Sequence, residues 1–271
     1  MCNACLMEAI RASVRTHPTA FEHSAAAADA SRGAAANAAR ENLSRAKGRI
    51  VNLTHDYDEH FPTFDGEPGI TMQRLSSFER DGSNVFRLTI DEHTGTHVDA
   101  PLHFSSNGAS LSGLDPQQLV CPLCVISIAD KARHDVNATL SADDVENWMM
   151  QHGRIPHGAC VALDSGWAAR VNDPSFRNTP DGKLAFPGFN RDAAGLLISL
   201  GAAAIAVDTL SLDPGNTKDF AVHHAWLGSG RYGVECLANL DQLPATGATI
   251  FVGAPSHRGG TGGPARVLAI V

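Results

Sequence analysis

Asp91-Glu-His-Thr-Gly-Thr-His-Val-Asp-Ala-Pro-Leu-His-Phe104 sets three histidines and an aspartate within eleven positions, around one glycine and one proline. Neutral imidazole nitrogen and carboxylate oxygen are common protein donors to zinc, manganese and iron, and such donors must converge to about 2 Å from one ion. His93, His97, Asp99 and His103 stand at even offsets from one another, so a regular strand would carry all four on one face. It would also hold them too far apart, since four strand residues span roughly 13 Å. The chain therefore has to bend between His93 and His97, and Gly95 is the residue able to take the backbone angles a bend requires. Pro101 fixes the exit. On this reading His93, His97 and Asp99 are metal ligands. His103, set apart by Pro101, reads as a neighbouring acid/base group, because an imidazole with an ordinary pKa near 6.5 suits proton transfer at neutral pH. A further ligand is the alternative use of that side chain.

The 271 residues are enough for one large domain with a substantial core. Hydrophobic residues make up 43% and charged residues 18%, a globular rather than a disordered balance. The formal charge of −8, with no basic run of five residues, argues against nucleic acid as a partner, because such binding rests on neutralising phosphates. No apolar run reaches the roughly 18 residues that cross a bilayer, and the N-terminus lacks a basic region leading into an apolar one. The expected setting is the cytoplasm, with a small-molecule substrate and no membrane partner. Six cysteines include Cys2-Asn-Ala-Cys5 and Cys121-Pro-Leu-Cys124. Paired CxxC units can build a structural zinc site. The second pair, however, lies in Leu119-Val-Cys-Pro-Leu-Cys-Val-Ile-Ser-Ile128, an apolar strand pattern in which cysteine serves as a small buried hydrophobe.

Residues 1–48 form an alanine-rich block whose composition predicts a helical N-terminal extension. Its expected place is on the domain surface or in the interface of a homo-oligomer, dimer or tetramer. From residue 49 to 271 the texture changes to short apolar strands alternating with helical patterns. Arg49–Thr54, Asn84–Ile90, Ala159–Leu163, Ala203–Val207, Thr249–Val252 and Arg266–Ile270 read as strands. Ser141 is placed as the cap of a helix with an acidic first turn, and Asn190 and Gly201 as the start and stop of another. The mixture predicts an α/β fold with the chemical motifs where strands end. Phe64, Trp167, Phe186 and Phe189 are the candidates for an aromatic substrate-binding wall, since small-molecule pockets are mainly apolar. Asp208 and Asp213 read as turn and strand-end hydrogen-bonding groups.

The run His-x-Gly-Thr-His-x-Asp-x-Pro-x-His of residues 93–103 resembles the signature of the metal-dependent cyclase family of hydrolases, the kynurenine formamidase- and isatin hydrolase-like enzymes. A second match is His223-His-Ala-Trp-Leu-Gly-Ser-Gly-Arg-Tyr-Gly-Val-Glu235, similar to the family segment in which a histidine precedes a metal-binding glutamate by twelve positions. His223 has that spacing and His224 does not. Asp164-Ser-Gly-Trp167, Phe186-Pro-Gly-Phe189, Asp208–Pro214 and Gly259-Gly-Thr-Gly-Gly-Pro264 extend the likeness from about residue 50 to the C-terminus. The resemblance implies a swivelling β/β/α fold for a hydrolase domain over 49–271. It also implies a catalytic His103, and one or two divalent ions, zinc or manganese. With two ions, Asp99 bridges them, His93 and His97 complete one side, and His223 and Glu235 the other. The implied activity is hydrolysis of a carbon–nitrogen bond in a small aromatic or cyclic amide by metal-activated water. Phe61-Pro-Thr-Phe-Asp-Gly66 departs from the tryptophan-containing segment typical of the kynurenine formamidase subgroup.

Two other readings compete. His97-Val-Asp99 with a distal histidine also fits the two-histidine, one-carboxylate triad of non-haem iron oxidoreductases, although His93, His103 and Glu235 then have no role. A non-catalytic metal- or ligand-binding protein would enclose its ion fully in protein donors.

Overall fold

The computed structural model describes residues 48–271, and the helical extension expected before them lies outside the described residues. The strands, in chain order, are β1 (Ile50–Asn52), β2 (Ile70–Ser76), β3 (Val85–Ile90), β4 (His97–Asp99), β5 (Val120–Ser127), β6 (Thr139–Leu140), β7 (Cys160–Asp164), β8 (Gly188–Phe189), β9 (Ala204–Val207), β10 (Tyr232–Glu235), β11 (Ala248–Gly253), β12 (Gly262–Pro264) and β13 (Arg266–Ile270). The helices are α1 (Phe78–Asp81), α2 (Ala129–His134), α3 (Ala142–His152), α4 (Arg191–Ser199) and α5 (Ala221–Gly228). Among the described residues, nine strands form one sheet in the order β1-β13-β11-β5-β7-β9-β10-β4-β12.

The middle of this sheet, β5-β7-β9-β10, is parallel, and both flanks are antiparallel. Parallel neighbours need long crossovers, and α3, α4 and α5 supply them. The parallel strands read as unbroken apolar runs because both their faces are covered. Cys124, Ile126, Val161, Leu163, Ile205 and Val207 face the helices, where they meet Val145, Trp148, Leu197 and Trp226. The alternate residues Leu123, Val125, Cys160, Ala162, Ala204 and Ala206 face the other way. There the sheet curls, and its own flanks, through Val98, Ile250, Val252 and Val267, close the second core. This is the mixed α/β architecture that the sequence pattern predicts. Cys121 and Cys124 are buried in different cores on opposite sides of β5, so they cannot grip one ion.

Local signals in the sequence operate as their chemistry requires. Ser141 forms a capping box with Asp144, each accepting from the other's backbone N–H. Asn190 accepts from the Ala193 N–H at 2.8 Å, and Gly201 ends that segment at φ +79°. From Met72 to Thr89 the β2–β3 hairpin belongs to a separate compact unit, in which the Arg74 guanidinium lies 4.9 Å from the centroid of the Phe86 ring. Two changes should rank differently in urea unfolding. Ile205→Ala, in a residue with no exposed surface, should cost about 2–5 kcal/mol, and Ser141→Ala, which removes only a helix cap, about 0.5–2 kcal/mol. Equal or inverted losses would contradict the placement of the core.

Candidate metal centre

The bend required between His93 and His97 is present: Gly95 lies at φ +61°, and a Cβ there would sit 2.7 Å from the Tyr57 ring. The chain then runs straight for only three residues, β4, before Pro101 opens a 3-10 turn that ends at His103. Antiparallel pairing sets Glu235 of β10 directly opposite His97, so both side chains leave the sheet on one face. Asp99 is opposite Gly233 on one side and Gly262 on the other, and neither neighbour has a side chain to crowd it. The fifth group, His223, comes from the first turn of α5. His224, next along the helix, is exposed.

These side chains converge. His97 Nε2 is 3.3 Å from Asp99 Oδ1 and 3.4 Å from Glu235 Oε2. His223 Nε2 is 3.2 Å from Glu235 Oε1 and 3.6 Å from Asp99 Oδ2. His93 Nδ1 approaches Asp99 Oδ1 to 2.6 Å. Ligand atoms of His97, Asp99 and Glu235 lie within 4.8 Å of one another, as do those of His93, Asp99 and His103.

The far nitrogen of each of these histidines is tied to an oxygen, which decides where its proton sits. His97 Nδ1–H donates to the Gly95 carbonyl at 2.9 Å, and a carbonyl can only accept. His223 Nδ1–H donates to Asp213 Oδ2 at 2.6 Å, while the same carboxylate takes the backbone N–H groups of Val222 and His223. In the neutral rings the Nε2 lone pairs of His97 and His223 therefore point at the two carboxylates. Such outer hydrogen bonds orient metal-binding imidazoles and raise their basicity.

The electrostatics ask for positive charge. His97, Asp99, His223 and Glu235 are each at most 4% exposed. Burial lowers the His97 imidazolium, yet Asp99 and Glu235 outweigh it and lift the group to about 10. Burial also works against the Asp99 anion, but the surrounding imidazoles hold its carboxyl well below the usual range. His97 Nε2 and Asp99 Oδ2 are buried with no hydrogen-bond partner. Unsatisfied buried lone pairs cost roughly 1–3 kcal/mol each. A divalent cation would satisfy both, so the donor set fits such an ion.

His103 differs from the other three. Its ring nitrogens enter none of the hydrogen bonds among the described residues, and it stacks on His93 with centroids 3.8 Å apart. Burial pushes it down to about 4, which leaves it neutral at pH 7. It lines a cavity of about 290 Å³ together with His93, His97, His223 and Glu235. The apolar part of its lining is Pro62, Phe64, Phe104, Leu210 and Phe220. A larger cavity of about 610 Å³, between Asp56–Pro62 and Val171–Pro174, contains none of the clustered ligand groups.

Of the four aromatic residues expected in the wall, the structure places only Phe64 there. Trp167 is buried with its Nε1–H on the Phe176 carbonyl, and Phe186 shares that cluster, behind Phe64 at 6.3 Å between centroids. Phe189 is in the helix-side core. Their places in the wall are taken by Phe104 and Phe220, 5.7 Å apart. Phe104 adjoins His103 in the opening motif, so its position was readable, whereas Phe220 has only its nearness to His223 as a signal. Asp208 accepts from Ser165 and Trp167, as a strand-end group should. Asp213 does more than the turn role expected of it, because it also orients His223.

The sequence matches the Cyclase family over residues 51–214. An isatin hydrolase of Roseibium aggregatum is 30% identical over 233 residues, covering 82% of this chain and 86% of that protein. A kynurenine formamidase of Bacillus mycoides is 27% identical over 191 residues, 70% of this chain and 81% of that one. The solved structure of isatin hydrolase A from Ralstonia solanacearum superposes with a TM-score of 0.80 at 33% identity, covering 87% of this chain and 96% of that chain. With the histidine-rich bend, the curled sheet and these likenesses in agreement, the chain belongs to the Cyclase family.

Proposed function

We propose that the protein hydrolyses a carbon–nitrogen bond in a small aromatic or cyclic amide, using one or two divalent ions, zinc or manganese, held by His93, His97, Asp99, His223 and Glu235. The carrying observation is the pair of orphaned buried donor atoms, His97 Nε2 and Asp99 Oδ2, within the group whose His97, His223 and Glu235 line a cavity with aromatic walls. A divalent cation at such a site polarises a carbonyl and lowers the pKa of water toward neutrality. The protein's own groups supply the rest. Asp213 and the Gly95 carbonyl keep His223 and His97 turned inward. His103, neutral and without a hydrogen bond among the described residues, takes a proton from the attacking water and returns it to the leaving nitrogen. Phe64, Phe104 and Phe220 present ring faces and edges that select a flat substrate.

The names of the relatives, isatin hydrolase and kynurenine formamidase, support this substrate class. A fused lactam such as isatin fits better than a formylated aryl amine, because Phe61-Pro-Thr-Phe64 lacks the tryptophan of the second group. An iron triad of two histidines and one carboxylate would leave two of the five converging donors unused. No helix among the described residues is long and apolar enough to cross a membrane, and action on a small molecule in the cytoplasm, as a homo-oligomer, completes the reading.

Metal analysis combined with an isatin hydrolysis assay tests the assignment. Asp99→Ala should lose the metal, whereas His103→Ala should keep it and turn over about a hundredfold more slowly or worse. A metal-free His103→Ala protein would make that residue a ligand instead. Turnover should continue without oxygen, and strict oxygen dependence would favour the iron oxidoreductase.

A second comparison addresses orientation. Asp213→Ala should weaken metal binding by roughly ten- to a hundredfold, and His224→Ala should leave it close to wild type. The reverse order would dismiss His223 from the centre. For the wall, Phe64→Ala should raise KM more than it lowers kcat, since ring contacts act on substrate and transition state alike. A kcat defect with unchanged KM would place Phe64 elsewhere in the reaction.

A further inference from the structure

We infer that Glu92 and Thr261 form a clasp that fixes the tautomer of His93 and thereby governs how tightly the centre holds its metal. The inference rests on the reading of His93 as a ligand. Its first element is hydrogen-bond counting. The Thr261 hydroxyl has one hydrogen, and the Glu92 carboxylate, which can only accept, takes it on Oε2 along with the Thr261 N–H at 3.0 Å. The hydroxyl oxygen is left with lone pairs, and these face His93 Nε2 at 3.1 Å. Nε2 is therefore the nitrogen that carries hydrogen. In the neutral ring Nδ1 is then bare, 2.6 Å from Asp99 Oδ1.

Two acceptors that close repel unless something positive lies between them. A divalent cation held by both would supply that charge, and the clasp keeps the ring hydrogen on Nε2, on the side of the ring away from Asp99. Nδ1 and Asp99 Oδ1 would then both offer lone pairs to such an ion with no rotation of the ring.

The second element is the glycine-rich tail, Gly259-Gly-Thr-Gly-Gly-Pro264, to which the proposed reaction assigns no role. Pairing of β12 with β4 sets Gly262 opposite Asp99 and so carries Thr261 to His93. A Cβ on Gly262 would lie 2.5 Å from both His93 Cε1 and the Val98 carbonyl oxygen. One on Gly260 would lie 2.3 Å from His257 Nε2 and 2.9 Å from Glu92 Oε1. His257 Nε2 in turn meets Glu92 Oε1 at 2.5 Å, which holds the carboxylate from its outer side. The glycines are thus where the chain must pass close to the two ends of the clasp.

The test uses the full chain, stripped of metal and titrated with Zn²⁺ against a competing chelator. Thr261→Val and Glu92→Ala should weaken Zn²⁺ binding by about ten- to a hundredfold. Thr261→Ser and Glu92→Gln, which keep the acceptor toward His93 and the acceptor toward Thr261, should stay near wild type. The metal-free variants should melt where the wild type does. Nitrogen NMR of the metal-free imidazoles should show His93 protonated at Nε2 in the wild type, with that preference lost in Thr261→Val. Wild-type Zn²⁺ affinity in Thr261→Val, or an equal loss in Thr261→Ser, would overturn the clasp. Should Thr261→Val fail to fold, the contrast of Glu92→Ala with Glu92→Gln decides by the same criterion. Absence of Zn²⁺ uptake by the wild type would instead remove the metal reading, and the clasp with it.

Discussion

Two carboxylates buried side by side govern this molecule. Asp99 and Glu235 come from adjacent strands, are almost inaccessible to water, and have no lysine or arginine among their ion-pair partners in the described residues. Taking one such ion out of water costs several kcal/mol unless positive charge comes with it. Three imidazoles surround the pair, and their far nitrogens are occupied by the Gly95 carbonyl, Asp213 and Thr261. The arrangement can be neutralised by protons on the histidines or by a divalent cation, and the outward hydrogen bonds prepare the lone pairs for the second. The site's geometry is thus the solution to a desolvation problem.

The scaffold answers the same demand for rigidity. Four parallel strands with helices on one face and a curled antiparallel flank on the other leave the backbone under Glu235 little freedom. Short elements do the aiming. β4 is three residues long, which is enough to set His97 and Asp99 on one face and Val98 in the opposite core. Phe220 sits at φ 47°, a conformation that costs a non-glycine residue of order 1–3 kcal/mol and is found where packing over-determines the backbone. Here it turns a ring into the cavity at the start of the helix that carries His223.

Aromatic residues show where reading along the chain loses its grip. Trp167, Phe186 and Phe189 stand in segments flanking the chemistry, as wall residues would. Each is instead a core residue: Trp167 and Phe186 pack with Phe61 and Phe176, and Phe189, on β8, packs in the helix-side core. Composition alone cannot distinguish a ring facing a cavity from one facing a core, since both environments are apolar. Phe104 reaches the cavity beside its motif neighbour His103, whereas Phe220 does so through a backbone direction that neither spacing nor hydropathy encodes.

Much was determined by the sequence alone. The offsets of His93, His97, Asp99 and His103 with Gly95 between them required a bend and a convergence of donors, and apolar runs alternating with capped amphipathic segments required an α/β sheet. Those conclusions follow from local stereochemistry, which acts over a few residues. The pairing of Glu235 with His97, the choice of His223's ring over His224's as the inward one, and the approach of Thr261 to His93 from 168 residues away belong to tertiary structure. The family likeness could point to the first two by spacing, but only strand register and helix rotation bring the atoms together. Register depends on which faces the whole sheet must bury, and that is a property of the complete core rather than of any segment within it.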